Sequence, residues 1–191
     1  MKRVILITGT PGVGKTTTAR VLAVKLGAIC INLTDYAKTH GLTLGEDKER
    51  QTSIVDEKAM YKSLSKSISA TETDIIIDGH YAAAVTPAEF VTHVFVLRRN
   101  PAELKEQMQH CGFSEAKINE NLSAEILDSC LIEALQNQQD KVCELDVSGQ
   151  TTDDIVEVML KVLNNTRKCY SGFVDWLGML ERENITDKYL S

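Results

Sequence analysis

The chain has 191 residues, of which 43% are hydrophobic and 25% are charged, and its formal net charge at pH 7 is −6. This length fits one domain with a single core, and the acidic balance argues against a general nucleic-acid or membrane-surface binder. No stretch of the sequence is long enough to predict a membrane span. Five cysteines without a C-x-x-C pair predict reduced thiols in a cytoplasmic protein.

Short apolar runs alternate with amphipathic segments along the chain. Five strands are predicted, over residues 3–8, 28–33, 74–78, 93–97 and 142–147. Helices are predicted over residues 15–26, 34–40 and 54–70, from 101 to an interruption at 112, over 114–139, and from 151 to a tail that begins at 164. The polar residues 41–53 predict a mobile segment. This alternation predicts an α/β fold with a five-stranded parallel sheet, helices on both faces, and ligands at the carboxyl ends of the strands.

The segment from Gly9 to Thr16, with the sequence GTPGVGKT, fits the phosphate-loop pattern G-x-x-x-x-G-K-[ST] between the first strand and the first helix. Successive N–H groups of such a loop surround phosphate oxygens, so we expect ATP to bind there. Lys15 would reach the β- and γ-phosphates, and the Thr16 hydroxyl would ligate Mg²⁺. The expected nucleotide contacts in the loop are Gly12, Val13, Gly14, Lys15, Thr16 and Thr17. A plain glycine-rich turn would need neither Lys15 nor Thr16.

Further polar residues follow the predicted strands at the same edge of the sheet. Asp78 ends the third strand, a position from which a carboxylate holds Mg²⁺ directly or through water. His80 points the same way as Asp78 if the chain stays extended, although an Asp-Gly turn with a nearby histidine is also common. Arg98 and Arg99 end the fourth strand, where they could stabilise a transferring phosphate or be merely solvated. The candidate catalytic residues are Lys15, Asp78, His80, Arg98 and Arg99, and the candidate metal ligands are Thr16 and Asp78.

Several segments spread along the chain match one known family when they are taken together. They are the phosphate loop, Ile31-Asn32-Leu33, Ile54-Val55-Asp56-Glu57, Asp78-Gly79-His80, residues 93–98, Gly112-Phe113-Ser114-Glu115 through Asn121 to Glu125-Ile126, and Val174-Asp175-Trp176. With these segments the chain resembles the adenylate kinase isoenzyme 6 family, also called the nuclear adenylate kinase or coilin-interacting ATPase family, in an archaeal form.

The resemblance implies a P-loop NTPase of the nucleoside monophosphate kinase type that transfers the γ-phosphoryl group of ATP to AMP with Mg²⁺. It also implies ATPase activity and a part in small ribosomal subunit maturation through a small-subunit ribosomal protein, with ribosomal RNA contacted only indirectly. Within the single domain 1–191, residues 31–54 would bind the monophosphate and residues 108–118 would form a short lid. Gly149 and Gln150 would lie near adenine, and the tail 166–191 would either pack on the domain or bind the partner.

The sequence departs from that family where arginines are usual. Gln107 and Cys111 replace arginines in and just before the lid, and residues 100–166 contain no arginine, which leaves Lys117 as the nearest substitute. Lys38 replaces an arginine of the monophosphate-binding helix and lacks its two-pronged geometry. We therefore expect normal ATP binding but slow transfer to AMP. Two other hypotheses stay open, namely an assembly factor that mainly hydrolyses ATP and a P-loop kinase of another small metabolite.

Overall fold

Strands and helices alternate along the chain, and the strands formed by the apolar runs make up a central sheet. The computed structural model describes residues 2–47 and 52–190. In chain order its elements are β1 (Val4–Gly9), α1 (Lys15–Leu26), β2 (Ile29–Asn32), α2 (Leu33–Thr39), β3 (Thr43–Asp47), β4 (Thr52–Val55), α3 (Glu57–Ser69), β5 (Ile75–Asp78), α4 (Ala82–Val85), β6 (His93–Arg98), α5 (Pro101–His110), α6 (Glu115–Ile126), α7 (Ser129–Gln138), β7 (Val142–Asp146), α8 (Thr152–Leu163) and α9 (Trp176–Arg182).

The central sheet has five strands in the order β2-β5-β1-β6-β7, and each neighbouring pair is parallel. The predicted fold class is thereby confirmed. Because parallel strands all end at the same edge, the loop after β1, the end of β5 and the end of β6 meet on one side of the molecule.

Two helical layers cover the sheet, and successive residues of β1 point into different layers. Ile5 and Ile7 pack with apolar residues of α1, α5, α6, α8 and α9, whereas Val4 and Leu6 pack with those of α2, α3, α4 and α7. This arrangement agrees with the continuous apolar runs of the strands, since a parallel sheet is buried on both faces.

Three local predictions were wrong. Helix α2 begins at Leu33, although the sequence predicts Thr34 as its N-cap, because the side chain of Asn32 caps it instead by accepting a hydrogen bond from Asp35 N at 3.1 Å. Residues 43–47 and 52–55 form two antiparallel strands, although a mobile segment was expected over 41–53 and a helix from 54, and residues 48–51 lie outside the described part. The long helix predicted over 114–139 is broken at Asp128, whose φ of 57° is left-handed.

The C-terminal tail packs against β7 and the core. Val174, Trp176 and Leu180 are all buried. A disulfide joins Cys143 of β7 to Cys169, whose Cα atoms lie 5.3 Å apart, because the tail returns alongside this edge strand. The prediction that all five cysteines are reduced thiols was therefore wrong. Within residues 2–47 and 52–190, no helix combines the length and the apolar character needed to cross a bilayer.

Candidate functional site

The loop between β1 and α1 depends on glycines that adopt left-handed backbone conformations. Gly12 has a φ of 96° and Gly14 a φ of 102°. A Cβ atom on Gly12 would lie 2.9 Å from Cγ of Met108, so a side chain does not fit there. Gly14 directly precedes α1 and occupies its N-cap position. By helix geometry the N–H groups of Lys15, Thr16 and Thr17 have no partner within the helix, so together with the positive end of the helix dipole they are suited to bind an anion.

Lys15 is buried, and its ammonium group lies back against the loop. Its Nζ donates a hydrogen bond to the Thr10 carbonyl at 3.0 Å. Burial lowers the pKa of Lys15 below its usual range, while the charges of Cys130, Asp78 and Glu125 oppose that shift. An ammonium group held in this way is partly stripped of water, so it interacts more strongly with a phosphate than an exposed lysine does.

Asp78 lies at the end of β5 and brings together three elements. Its Oδ2 accepts hydrogen bonds from Thr16 Oγ1 at 2.6 Å and from Asn32 Nδ2 at 2.8 Å. Its Oδ1 is buried and has no hydrogen-bond partner. A buried carboxylate oxygen without a partner costs free energy unless a ligand satisfies it. The two candidate metal ligands, Thr16 and Asp78, thus lie in hydrogen-bond contact, and the free oxygen beside them fits a cation.

Asn32 belongs to this site although it is not among the candidate site residues named from the sequence. It ends β2 as Asp78 ends β5, and the two residues are register partners in the parallel pair. Its amide carbonyl caps α2 while its amide nitrogen donates to Asp78. A polar residue directly after an apolar strand was the available signal, since that is where site residues of a parallel sheet collect.

His80 follows in the turn between β5 and α4. Its ring packs edge-on against Tyr81 with 4.9 Å between the ring centres, and its backbone carbonyl accepts a hydrogen bond from Thr8 Oγ1. Burial, together with the charge of Lys15, lowers the pKa of His80 to about 4, while the charge of Asp78 opposes this shift. The imidazole is therefore neutral near pH 7 and lies within electrostatic reach of both charges.

Arg98 was expected either to stabilise a transferring phosphate or to be solvated, but its side chain lies inside the protein. Its side chain is buried, and its guanidinium forms ion pairs with Glu125 at 2.9 Å, Glu144 at 2.6 Å and Asp128 at 2.5 Å. Burial acts to lower the pKa of Arg98, but Glu125 and Asp128 raise it above its usual value. With these contacts the guanidinium is engaged inside the protein, and the expectation that it stabilises a transferring phosphate is not met.

Arg99 lies closer to the surface, beside the turn expected near adenine. Its Nη1 pairs with Glu103 Oε2 at 3.1 Å, and the same oxygen accepts from Gly149 N at 3.1 Å. The Gln150 side chain donates to the carbonyl of Asp146 at the end of β7. Arg99 and this turn are thus linked through Glu103 at the carboxyl edge of the sheet.

A cleft of about 510 Å³ opens beside the phosphate loop. It lies between the loop, the turn after β5, and helices α6 and α7. Charged and polar side chains on its walls include His80, Tyr81, Lys117, Asn121 and Glu133. Burial raises the pKa of Glu133, and the nearby charge of Glu57 adds to that shift. Among the described residues no arginine lines this cleft.

The positions at which the resembled adenylate kinase isoenzyme 6 family usually has arginine lie at α5 and α2. Gln107 is half-buried, Cys111 is exposed as the C-cap of α5, and Lys38 is exposed on α2. Within the predicted lid, residues 108–118, Phe113 and Lys117 line the cleft. The basic charge that the structure places close to the cleft therefore comes from lysines, which act as point charges without the fork of a guanidinium.

The sheet and its loop define a P-loop protein with the architecture of the small kinases. Shikimate kinase from Acinetobacter baumannii superposes with a TM-score of 0.64 at 15% identity, over 87% of this chain and 96% of that one. Thymidylate kinase from Candida albicans superposes with a TM-score of 0.55 at 18% identity, over 86% of this chain and 92% of that one. At these identities the likeness concerns the fold alone.

Sequence relatives give the family. The family described as "AAA domain" matches residues 5–128. A protein of Pyrococcus furiosus named "Putative adenylate kinase" is 40% identical over 179 residues, which cover 93% of both chains. A protein of the same name from Methanocaldococcus jannaschii is 36% identical over 172 residues, or 90% of this chain and 92% of the relative. The chain therefore belongs to this AAA-domain family and, within it, to a group of archaeal proteins that carry the adenylate kinase name.

Proposed function

We propose that the protein is a cytoplasmic nucleoside monophosphate kinase of the adenylate kinase isoenzyme 6 type, which transfers the γ-phosphoryl group of ATP to AMP. The observation that carries the proposal is the convergence of Lys15, Thr16 and Asp78 beside one cleft at the carboxyl edge of the sheet. The names of the archaeal relatives support the choice of AMP as acceptor.

In this proposal the loop N–H groups and Lys15 hold the phosphates of ATP and balance their charge. Mg²⁺ would be held by Thr16 and Asp78, because hard oxygen donors suit this ion and Asp78 Oδ1 is buried without a partner. When bound beside Thr16 and Asp78, the ion would neutralise part of the phosphate charge. The monophosphate would bind against the part of residues 31–54 that begins at Asn32, beside Asp78.

A second candidate is an assembly factor that mainly hydrolyses ATP and holds a small-subunit ribosomal protein, with ribosomal RNA contacted only indirectly. Two observations favour it. No arginine lines the cleft within the described residues, and the neutral imidazole of His80 lies where it could orient a water molecule. The net charge of −6 suits a basic partner.

The test measures ADP formation from ATP and Mg²⁺ with and without AMP, together with phosphate release. A kinase forms two ADP for each ATP consumed only when AMP is present, whereas an ATPase forms one ADP and one phosphate without it. Shikimate and thymidine monophosphate serve as acceptor controls for the hypothesis of another small-metabolite kinase. Lys15→Ala measures the ADP formed by contaminating enzymes. If the wild type forms as much ADP without AMP as with it, the kinase proposal is overturned.

A further inference from the structure

The carboxylate of Glu125, in the last turn of α6, receives hydrogen bonds from three separate parts of the fold. Thr10 Oγ1 of the phosphate loop donates to Oε2 at 2.5 Å, and Arg98 Nε donates to Oε1 at 2.9 Å. Trp176 Nε1 at the start of α9 and Arg99 N also donate to Oε1, each at 3.1 Å. A carboxylate has about four acceptor sites, so these donors nearly saturate it and leave it little freedom to move.

On the side of the phosphate loop, Thr10 lies between Glu125 and Lys15. Its hydroxyl binds the carboxylate of Glu125, and its carbonyl accepts the hydrogen bond from Lys15 Nζ at 3.0 Å. Thr10 is fully buried and Glu125 is 1% exposed, so water does not substitute for either contact. A displacement of the Glu125 carboxylate would therefore move the residue against which Lys15 rests.

On the other side, the C-terminal tail (residues 166–190) is fastened to the same network. Glu144 Oε1 accepts from Arg98, and its Oε2 accepts from the N–H groups of Gly172 and Phe173 at 2.7 and 3.0 Å. Trp176 is 8% exposed and packs in the core. Both buried glutamates thus bind Arg98 and the tail, and one of them also binds the phosphate loop.

A buried tryptophan needs some partner for its N–H group, and a purely structural docking of the tail would require no more than that. Here the partner is the carboxylate that also holds Thr10. We propose that Glu125 couples the C-terminal tail to the phosphate loop, and that Trp176 and Thr10 are positioning residues which set the place of Lys15 for the phosphates of ATP. This inference rests on the proposed use of ATP, but not on the identity of the acceptor.

Two variants test the coupling, each removing one donor to Glu125. Thr10→Val nearly keeps the side-chain volume, whereas Trp176→Phe also removes part of the indole ring, a packing loss for which a control is needed. Trp176→Phe and Thr10→Val are each expected to lower kcat/KM for ATP about tenfold while KM for AMP stays constant, because a small displacement of a charge contact is felt strongly in the transition state. The matched control is Leu180→Ala, which removes buried apolar contacts from the same helix and makes no bond to Glu125. It is expected to lower the melting temperature at least as much as Trp176→Phe, with kcat/KM for ATP within about twofold of the wild type.

The double variant separates coupling from two independent losses. If both residues act through Glu125, Thr10→Val with Trp176→Phe loses about tenfold, as each single variant does, and not about a hundredfold. Three outcomes would each overturn the coupling. The effects of the two single variants could multiply, the single variants could match the wild type, or Leu180→Ala could lose as much turnover as Trp176→Phe.

Trp176 is the chain's single tryptophan, so its fluorescence reports on the network without any turnover. Adding ATP with Mg²⁺ to the wild type is expected to change the emission of Trp176, and Thr10→Val is expected to abolish most of that change. Calorimetry shows whether ATP binds in each case. An emission change without AMP-dependent ADP formation would reject the proposed kinase activity and keep the coupling, whereas bound ATP with unchanged emission would reject the coupling.

Discussion

Replacement of Arg98 by methionine separates two roles for this residue, one at the transferring phosphate and one inside the protein. The guanidinium is 1% exposed and pairs with Glu125 and Glu144, which are 1% and 0% exposed, and with Asp128, which is 37% exposed. Methionine keeps most of the side-chain volume but leaves two fully buried carboxylates without their cation. We therefore expect Arg98→Met to act mainly on stability.

The size of the effect follows from burial. Loss of one partner of a buried ion pair costs about 3–5 kcal/mol, and the more exposed pair with Asp128 adds less than about 1 kcal/mol. For a chain of this length, each kcal/mol lowers the melting temperature by about 2–4 °C, so a total loss of about 3–6 kcal/mol should make Arg98→Met melt roughly 6–24 °C below the wild type. Arg98→Lys should recover only part of this loss, because an ammonium group cannot serve three carboxylates in the same fork geometry.

The assay combines thermal unfolding with ADP formation measured well below the melting temperature of the variant. Arg99→Met is the matched control, since its Glu103 partner is 40% exposed and such a pair contributes less than about 1 kcal/mol. A variant Arg98→Met that melts within a few degrees of the wild type and still loses its phosphoryl transfer would refute the structural role. That result would support a role for Arg98 in stabilising the transferring phosphate.

Three other predictions concern the site itself. Lys15→Ala should lower ATP turnover by about 10²-fold or more, and near-normal turnover would remove the loop from the mechanism. His80→Ala should lower the ATPase rate while ATP affinity stays within about threefold. Because burial lowers the pKa of His80 from 6.5 to about 4, its contribution to stability is present above pH 6.5 and is lost as the pH falls toward 4, a dependence that His80→Ala should remove from urea unfolding curves. Gln107→Arg or Cys111→Arg should raise transfer to AMP, and unchanged rates in both would show that charge at the lid is not limiting.

Sequence patterns predicted the parts of the molecule that depend on local signals. Helix α1 begins at Lys15 and ends at Leu26 as expected, because a glycine precedes it and Gly27 adopts the left-handed conformation that ends it. The meeting of Thr16 with Asp78 also followed from the sequence, since a phosphate loop and a polar strand end must lie at one edge of a parallel sheet.

Contacts between distant residues were not accessible in the same way. The acidic partners of Arg98 lie 27 to 46 residues further along the chain, and nothing in the two-arginine pattern distinguishes a buried network from a phosphate site. The helix break at Asp128 could not be predicted from a nearby glycine or proline, because there is none. Asp128 adopts a left-handed backbone conformation, and its side chain forms an ion pair with Arg98. The Cys143–Cys169 disulfide likewise depends on how the tail returns to β7, which spacing alone does not determine.

The placement of positive charge connects these findings to the reaction. Arg98 is held by buried carboxylates and Arg99 is paired with Glu103. In the described part of the chain Lys117 is the lysine that lines the cleft, and Lys15 lies in the adjoining phosphate loop. A lysine binds phosphate as a point charge and lacks the planar two-pronged geometry with which a guanidinium holds two oxygens of a transferring group. We therefore expect ground-state binding of ATP to be well supported and the extra stabilisation that speeds transfer to be weak. An arginine supplied at position 107 or 111 should thus change the rate much more than the affinity for ATP.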